Sequence, residues 1–156
     1  MSPNSFSDRR KRSPENIEVI ARAVIFDAEK KKILFCAPKD KKYFYLPGGH
    51  VEWRETALSA LRREIEEELG LKLKADQFSF AGAGENIFVQ NNQNRHEVNL
   101  YFRLSGSLPD VGVSSREAHI TFAWIPIEEI SKKDILPASV KQRCAIWSKT
   151  DSIGWQ

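Results

Sequence analysis

Residues 46–71 read LPGGHVEWRETALSALRREIEEELGL. Pro47-Gly48-Gly49 marks a turn. From Thr56 the apolar period changes: Leu58, Leu61, Ile65 and Leu69 form one stripe at helical spacing, and Gly70 follows as a C-terminal cap. The pattern predicts a helix over Thr56–Leu69. That helix carries Glu64, Glu66, Glu67 and Glu68 near its C-terminal end, where acidic groups oppose the negative pole of the helix dipole. Like charges three and four apart also repel, by about 0.2–0.5 kcal/mol per pair. Something absent from the string must offset that cost.

With Glu64 as origin, Glu67 falls at about −60° and Glu68 at about +40° around the helix, beside an apolar stripe centred near about +105°. These three carboxylates form a stripe of their own, and Glu66 points to solvent. One turn back the same stripe holds only Ala57 and Ala60. Helical side chains lean toward the N-terminus, so small residues there leave room for the carboxylates. The room faces the Gly48-Gly49 turn and Glu55. A hard divalent cation with oxygen ligands, Mg²⁺ first, fits three converging carboxylates. The glutamates alone also admit a blander reading, a solvated run paired to Arg62, Arg63 and nearby lysines.

Outward from this stretch, the chain of 156 residues suits one domain of ordinary size. Its 41% apolar and 29% charged content fits a globular protein rather than a disordered or fibrous one. Residues 1–16 read as a flexible basic tail with the run Arg9-Arg10-Lys11-Arg12, 17–150 as one domain, and 151–156 as a C-terminal tail. IEVIARAVIFD and ILFCA, joined by polar residues 27–32, are expected to form a hairpin. YFYLP is expected to be a third strand. FSFAGAGENIFVQ and RHEVNLYFRL flank NNQN as a second hairpin, and ITFAWIPI is a last strand. Two short helices are expected over Glu128–Lys133 and Ala138–Lys149. The fold class is α+β, a mixed sheet packed on helices. Cys36 and Cys144 form no metal-binding spacing and read as two buried thiols.

Gly49, five residues, Glu55, seven residues, then REIEEELGL from Arg63 to Leu71 resembles the Nudix box, G-x5-E-x7-R-E-U-x-E-E-x-G-U with U apolar, at every specified position. The hairpin before it and AWIPIEEI after it extend the resemblance over Ile17 to about Lys149. It implies the Nudix fold, an α/β/α sandwich around a mixed sheet, and a hydrolase acting on phosphorus-containing acid anhydrides. The reaction implied is cleavage of the pyrophosphate linkage in a nucleoside diphosphate joined to another moiety. Residue by residue, Glu64, Glu67 and Glu68 match the metal-binding glutamates, and Gly49 matches the glycine whose carbonyl joins the metal. Glu55 and Arg63 match the positions that tie the loop to the helix. The implied cofactor is Mg²⁺, with Mn²⁺ able to substitute. A carboxylate must take the proton of the attacking water; Glu64, Glu97 and Glu117 are the candidates. One position departs from the family habit: Arg54 stands where Gly is frequent and where φ > 0 favours it.

The substrate is less legible. No Pro occurs between Leu71 and Pro109, and the first Tyr after the box is Tyr101, so the downstream signatures of ADP-ribose and dinucleoside polyphosphate hydrolases are missing. Phe44, Phe88, Phe102 and Trp53 are candidates to stack a base. A small nucleotide is the expected partner, rather than nucleic acid, since the net charge is only +3 and no basic stripe is continuous. The alternatives are an RNA 5′-end pyrophosphohydrolase and a non-catalytic nucleotide-binding module. No apolar run approaches the length of a membrane span, and no signal-peptide core is present, so a cytoplasmic place is expected. A homodimer is left open.

Overall fold

The computed structural model describes residues 16–108 and 113–149. The basic run and the C-terminal tail expected from the sequence lie outside the described residues. Strand β1 (Ile17–Val24) is the organising element. One edge pairs in parallel with β5 (Gln93–Leu104), the other antiparallel with the three-residue β3 (Gly48–His50). β4 (Phe78–Gln90) adds to β5 antiparallel, so the mixed sheet runs β3-β1-β5-β4. β2 (Lys32–Pro38) and β6 (Ile120–Pro126) form a separate antiparallel pair.

The β4–β5 hairpin is the one the sequence predicts. Asn91 and Asn92 sit at its tip with φ of 52° and 58°. Two left-handed residues match the twist of the flanking strands, and Asn tolerates that conformation.

The first hairpin is a correction. The turn forms, with Asp27 accepting from the Lys31 and Lys32 amides at 2.8 Å each. Beyond Phe26 and Ile33, however, β2 departs to β6. Both edges of β1 are already taken by β3 and β5, leaving none for β2. The strand expected over YFYLP is a second correction. Tyr45 exchanges backbone hydrogen bonds with Cys36 at 2.9 Å, whereas Phe44 bonds to Asp134 and Leu136 at 2.8 Å. Each is an isolated bridge, one on either side, with no second pair to extend it into a ladder, and the regular strand begins only at Gly48.

Helix α1 (Ala57–Leu69) covers one face of the sheet. Thr56 caps it by accepting from the Ser59 amide at 3.2 Å, and Gly70 closes it onto the Glu66 carbonyl at 2.9 Å. Its buried residues Ala60, Leu61 and Ile65 pack on Ala21, Ala23 and Ile25. Leu58 and Leu69, at the ends of the stripe, are half-buried. Alternate residues Val24 and Phe26 face the other way, into a second core with Tyr101, Ile135 and helix α2 (Ser139–Trp147). That alternation puts the helices on opposite sides of the sheet. Trp147 Nε1 donates to the Ala81 carbonyl at 2.9 Å and fastens α2 to β4. The 3-10 turn Ile127–Lys132 precedes α2. Cys36 and Cys144 are both buried and unpaired.

Candidate active site

The Gly48–Gly49 turn meets the carboxylate row of α1 at very close range. Gly48 has φ +127°, and a Cβ there would lie 2.1 Å from the Ala21 carbonyl oxygen. Only glycine adopts that conformation freely. At Gly49 a Cβ would lie 2.5 Å from the carboxyl carbon of Glu64. Two residues without side chains thus let the backbone touch the acids directly.

Glu68 is the most unusual of those acids. It is only 5% exposed, although it is ionisable. Its Oε2 accepts from the Gly48 amide at 3.3 Å, and it forms no ion pair among the described residues. Burial pushes its carboxyl up to about 8, with the nearby charges of Glu64 and Glu117 adding to the effect; the Gly48 amide and Arg22 oppose it. The Arg116 amide donates to the Glu68 carbonyl at 2.8 Å, which brings the loop carrying Glu117 against the end of α1. Glu117 is half-buried, with His119 Nε2 3.3 Å from its Oε2.

Arg63 organises the rest. Nε and Nη2 donate to Glu55 at 3.0 Å each, a two-pronged pair. Nη1 donates to Glu64 at 2.8 Å and to Glu67 at 3.4 Å, and Nη2 also reaches the His50 carbonyl at 3.2 Å. Glu55 in turn accepts from the Glu52 amide at 3.2 Å. The Arg63 bond holds the Glu55 carboxyl below the ordinary carboxylate range. One guanidinium thereby spans the loop, the turn and two of the helix acids. Glu66 stands apart, paired with Lys72 at 3.4 Å. Arg54 takes φ +67° and stacks on the exposed ring of Trp53 at 5.0 Å.

A dication suits this group chemically. The donors at hand are carboxylates and a backbone carbonyl, all hard oxygens. The buried charge of Glu68 lacks a cationic neighbour in direct contact, and such a charge is costly unless paired or bound to metal. Among the described residues no three His, Cys, Asp or Glu side chains are close enough to make a finished ligand cluster; Arg63 engages Glu64 Oε1 and Glu67 Oε2.

Behind the turn, on the α2 side of the sheet, lies a cavity of about 600 Å³ with Arg22, Tyr43, Tyr45, Asn86, Phe88 and Glu97 in its walls. Arg22 joins the cavity to the acids. Its Nη1 donates to the Leu46 and Gly48 carbonyls at 3.1 and 3.2 Å, and its guanidinium lies 5.2 Å from the Tyr45 ring.

The structure therefore gathers Gly49, Glu55, Arg63, Glu64, Glu67, Glu68 and Glu117 around one turn. It places Glu97 elsewhere, in the cavity wall. Of the aromatics expected to stack a base, Phe88 lines the cavity. Trp53 is 86% exposed, while Phe44 and Phe102 pack against the two cores. Arg22, Tyr45, Asn86 and Asn99 escaped the sequence reading as site residues. Arg22 alone had a signal: a charge between two alanines in an apolar strand.

The family model described as NUDIX domain matches residues 17–144. Several solved structures share the fold. The MutT protein of Bacillus halodurans is 17% identical over 88% of this chain and 86% of its own, with a TM-score of 0.66. The dihydroneopterin triphosphate pyrophosphohydrolase of E. coli is 20% identical over 83% and 94%, with a TM-score of 0.66. The Ap4A hydrolase of C. elegans is 19% identical over 85% and 96%, with a TM-score of 0.62. A search of curated proteins finds no match.

Proposed function

The chain belongs to the NUDIX family of hydrolases of phosphorus-containing anhydrides, and on that premise we propose that it cleaves the pyrophosphate linkage of a small nucleoside diphosphate derivative with the help of a divalent metal. The observation that carries this reading is the buried, unpaired carboxylate of Glu68 beside the Gly48–Gly49 turn, in reach of the charges of Glu64 and Glu117.

In this proposal Glu64, Glu67, Glu68 and the Gly49 carbonyl hold Mg²⁺ or Mn²⁺. Such an ion, when bound, neutralises phosphate charge and acidifies water. The chain's own residues supply the rest. Arg63 fixes Glu64 and Glu67 to the Glu55 loop, so the ligand oxygens are oriented before substrate arrives; outer contacts of this kind commonly carry about 10- to 100-fold in metal affinity or activity. Arg22 sits where the cavity meets the turn and offers positive charge to a phosphate. Glu117 stands beside Glu68 and, among the described residues, pairs only with His119, whereas Glu64 is engaged by Arg63. We therefore place proton abstraction from water on Glu117 ahead of Glu64.

A panel of nucleoside diphosphate and triphosphate derivatives, assayed with Mg²⁺ for released phosphate or pyrophosphate, tests the reading. Turnover should vanish in excess chelator and return with Mg²⁺ or Mn²⁺. Full activity in chelator would remove the metal from the proposal.

A further inference from the structure

The cavity wall at Glu97 has a chemistry of its own. Glu97 Oε2 accepts from Asn86 Nδ2 at 3.5 Å and from Asn99 Nδ2 at 3.4 Å. An ionised carboxylate only accepts, so each amide turns its NH₂ group toward it; an amide carbonyl there would face like partial charge. Asn99 is fully buried and keeps this arrangement from behind. Among the described residues, three side-chain acceptors of this trio have no protein donor: the buried Asn99 Oδ1, and one on each of the two residues that line the cavity. Glu97 Oε1 and the side-chain carbonyl of Asn86 have no donor among the described residues, and both residues line the cavity. Register places them directly opposite each other on β5 and β4. Phe88 and Tyr43 add aromatic surface for a flat ring.

Glu97 shares a face of β5 with Tyr101, which packs in the core on the far side of the sheet from α1. Its place is thus with the ligand's ring and not with the reacting phosphate.

Two neighbouring acceptors select a ring edge with two neighbouring donors. Adenine and cytosine present an amino donor beside a ring-nitrogen acceptor. Uracil and thymine present one N–H between two carbonyls. Guanine presents N1–H and the 2-amino group side by side, and 2-amino-4-oxopterins carry the same edge. We propose that Glu97, supported by Asn86 and Asn99, is a specificity-determining residue that reads this 2-amino, N–H edge, so that the substrate class is a phosphorylated guanine-type ring. The proposal rests on the hydrolase reading for the phosphate end only.

The test compares kcat/KM for GTP, ITP, ATP and dihydroneopterin triphosphate with Mg²⁺. ITP lacks only the 2-amino group. The expected preference for GTP over ITP is about tenfold or more, because an acceptor that the bound ring covers and leaves without a donor is penalised. Glu97→Gln should bring the two substrates within about threefold of each other, since one acceptor becomes a donor. Asn86→Leu, which removes the second acceptor, should compress the ratio likewise and serves if Glu97→Gln fails to fold. Equal use of GTP and ITP by the unaltered protein overturns the proposal. So does a Glu97→Gln variant in which both rates fall together with their ratio intact, the pattern of a proton-transfer residue. Whichever of GTP and the pterin triphosphate is preferred identifies the source of the edge, provided that Glu97→Gln lowers that preference over ITP.

Binding of GMP and IMP, measured calorimetrically in chelator, separates this proposal from the hydrolase reading. Tighter binding of GMP without hydrolysis of any nucleotide would leave the edge assignment standing and the reaction wrong. Hydrolysis with equal GMP and IMP affinity would do the reverse.

Discussion

Replacing Glu68 by Gln changes one charge and almost no volume, and it separates a metal-holding carboxylate from a structural one. The Glu68 carboxyl is pushed from the ordinary 4.5 up to about 8 by burial beside other acids. At pH below 4.5 it is protonated in both the folded and unfolded chain, so ionisation costs the fold nothing. Between 4.5 and about 8 the unfolded chain releases a proton that the folded chain keeps, so stability falls as pH rises. Above about 8 both forms are ionised and the full cost is present, on the order of 5 kcal/mol at about 1.4 kcal/mol per tenfold change in proton affinity. Gln never ionises, and its carbonyl can still accept the Gly48 amide. In chelator, then, Glu68→Gln should match the parent in urea denaturation near pH 4 and exceed it by a few kcal/mol at pH 9. The same variant, given metal, should lose catalysis by orders of magnitude. Comparing the two proteins at each pH cancels the titration of groups that the Glu68 charge does not reach. A variant less stable than its parent at pH 9 would refute the buried-charge reasoning, and wild-type turnover would refute the metal site.

Gly49→Ala should abolish most turnover with only a modest fall in Tm, because the new methyl meets the flexible end of Glu64 at 2.5 Å; normal kcat would show that the close approach is dispensable. Arg63→Lys keeps the charge but loses the two-pronged bond to Glu55. Steady-state kinetics should show a fall of about 10- to 100-fold, in line with other supporting contacts of metal ligands. Thr56→Ala removes the α1 cap and should cost about 1 kcal/mol in urea denaturation, with kcat per folded molecule unchanged.

What the sequence discloses follows from how local each feature is. Helix α1, its cap at Thr56 and its carboxylate row lie within one short segment, where a single period dictates which side chains share a face. The β4–β5 hairpin is equally local, since Asn91-Asn92 sets the turn and the turn sets the register. The partner of β2 is not local. It depends on whether β1 has a free edge, and that is decided by β3 and β5, which lie far along the chain. The strand expected over YFYLP is reduced for a related reason: Phe44 and Tyr45 each meet a segment distant in the chain at one bridge only, and the pairing stops there. The cavity wall is the least legible part. Glu97, Asn86 and Asn99 come from two strands, and only the β4–β5 register makes them adjacent.

One step along β1 accounts for how the two halves of the site can differ so much in legibility. Ala21 lies opposite Gly49, and Arg22 opposite Gly48. Successive strand residues face opposite sides of the sheet. Ala21 therefore packs toward α1, on the face whose helix carries the carboxylates, while Arg22 enters the cavity behind it. The helix acids, the glycine turn and Arg63 all belong to the continuous stretch from Gly48 to Glu68, and Glu117 alone of the gathered acids comes from another loop, so most of that geometry is fixed within one segment. The cavity draws Arg22 from β1, the tyrosines from the connector before β3, and Asn86, Phe88 and Glu97 from the β4–β5 hairpin. Substitutions on that hairpin can alter which ring is admitted without touching the carboxylate row. Arg22 is the exception, because it bonds to the Gly48 carbonyl while lining the cavity. Arg22→Ala should consequently affect both halves at once, raising KM for every nucleotide and lowering kcat as the turn loosens. A change confined to KM would show that the turn holds its shape without it.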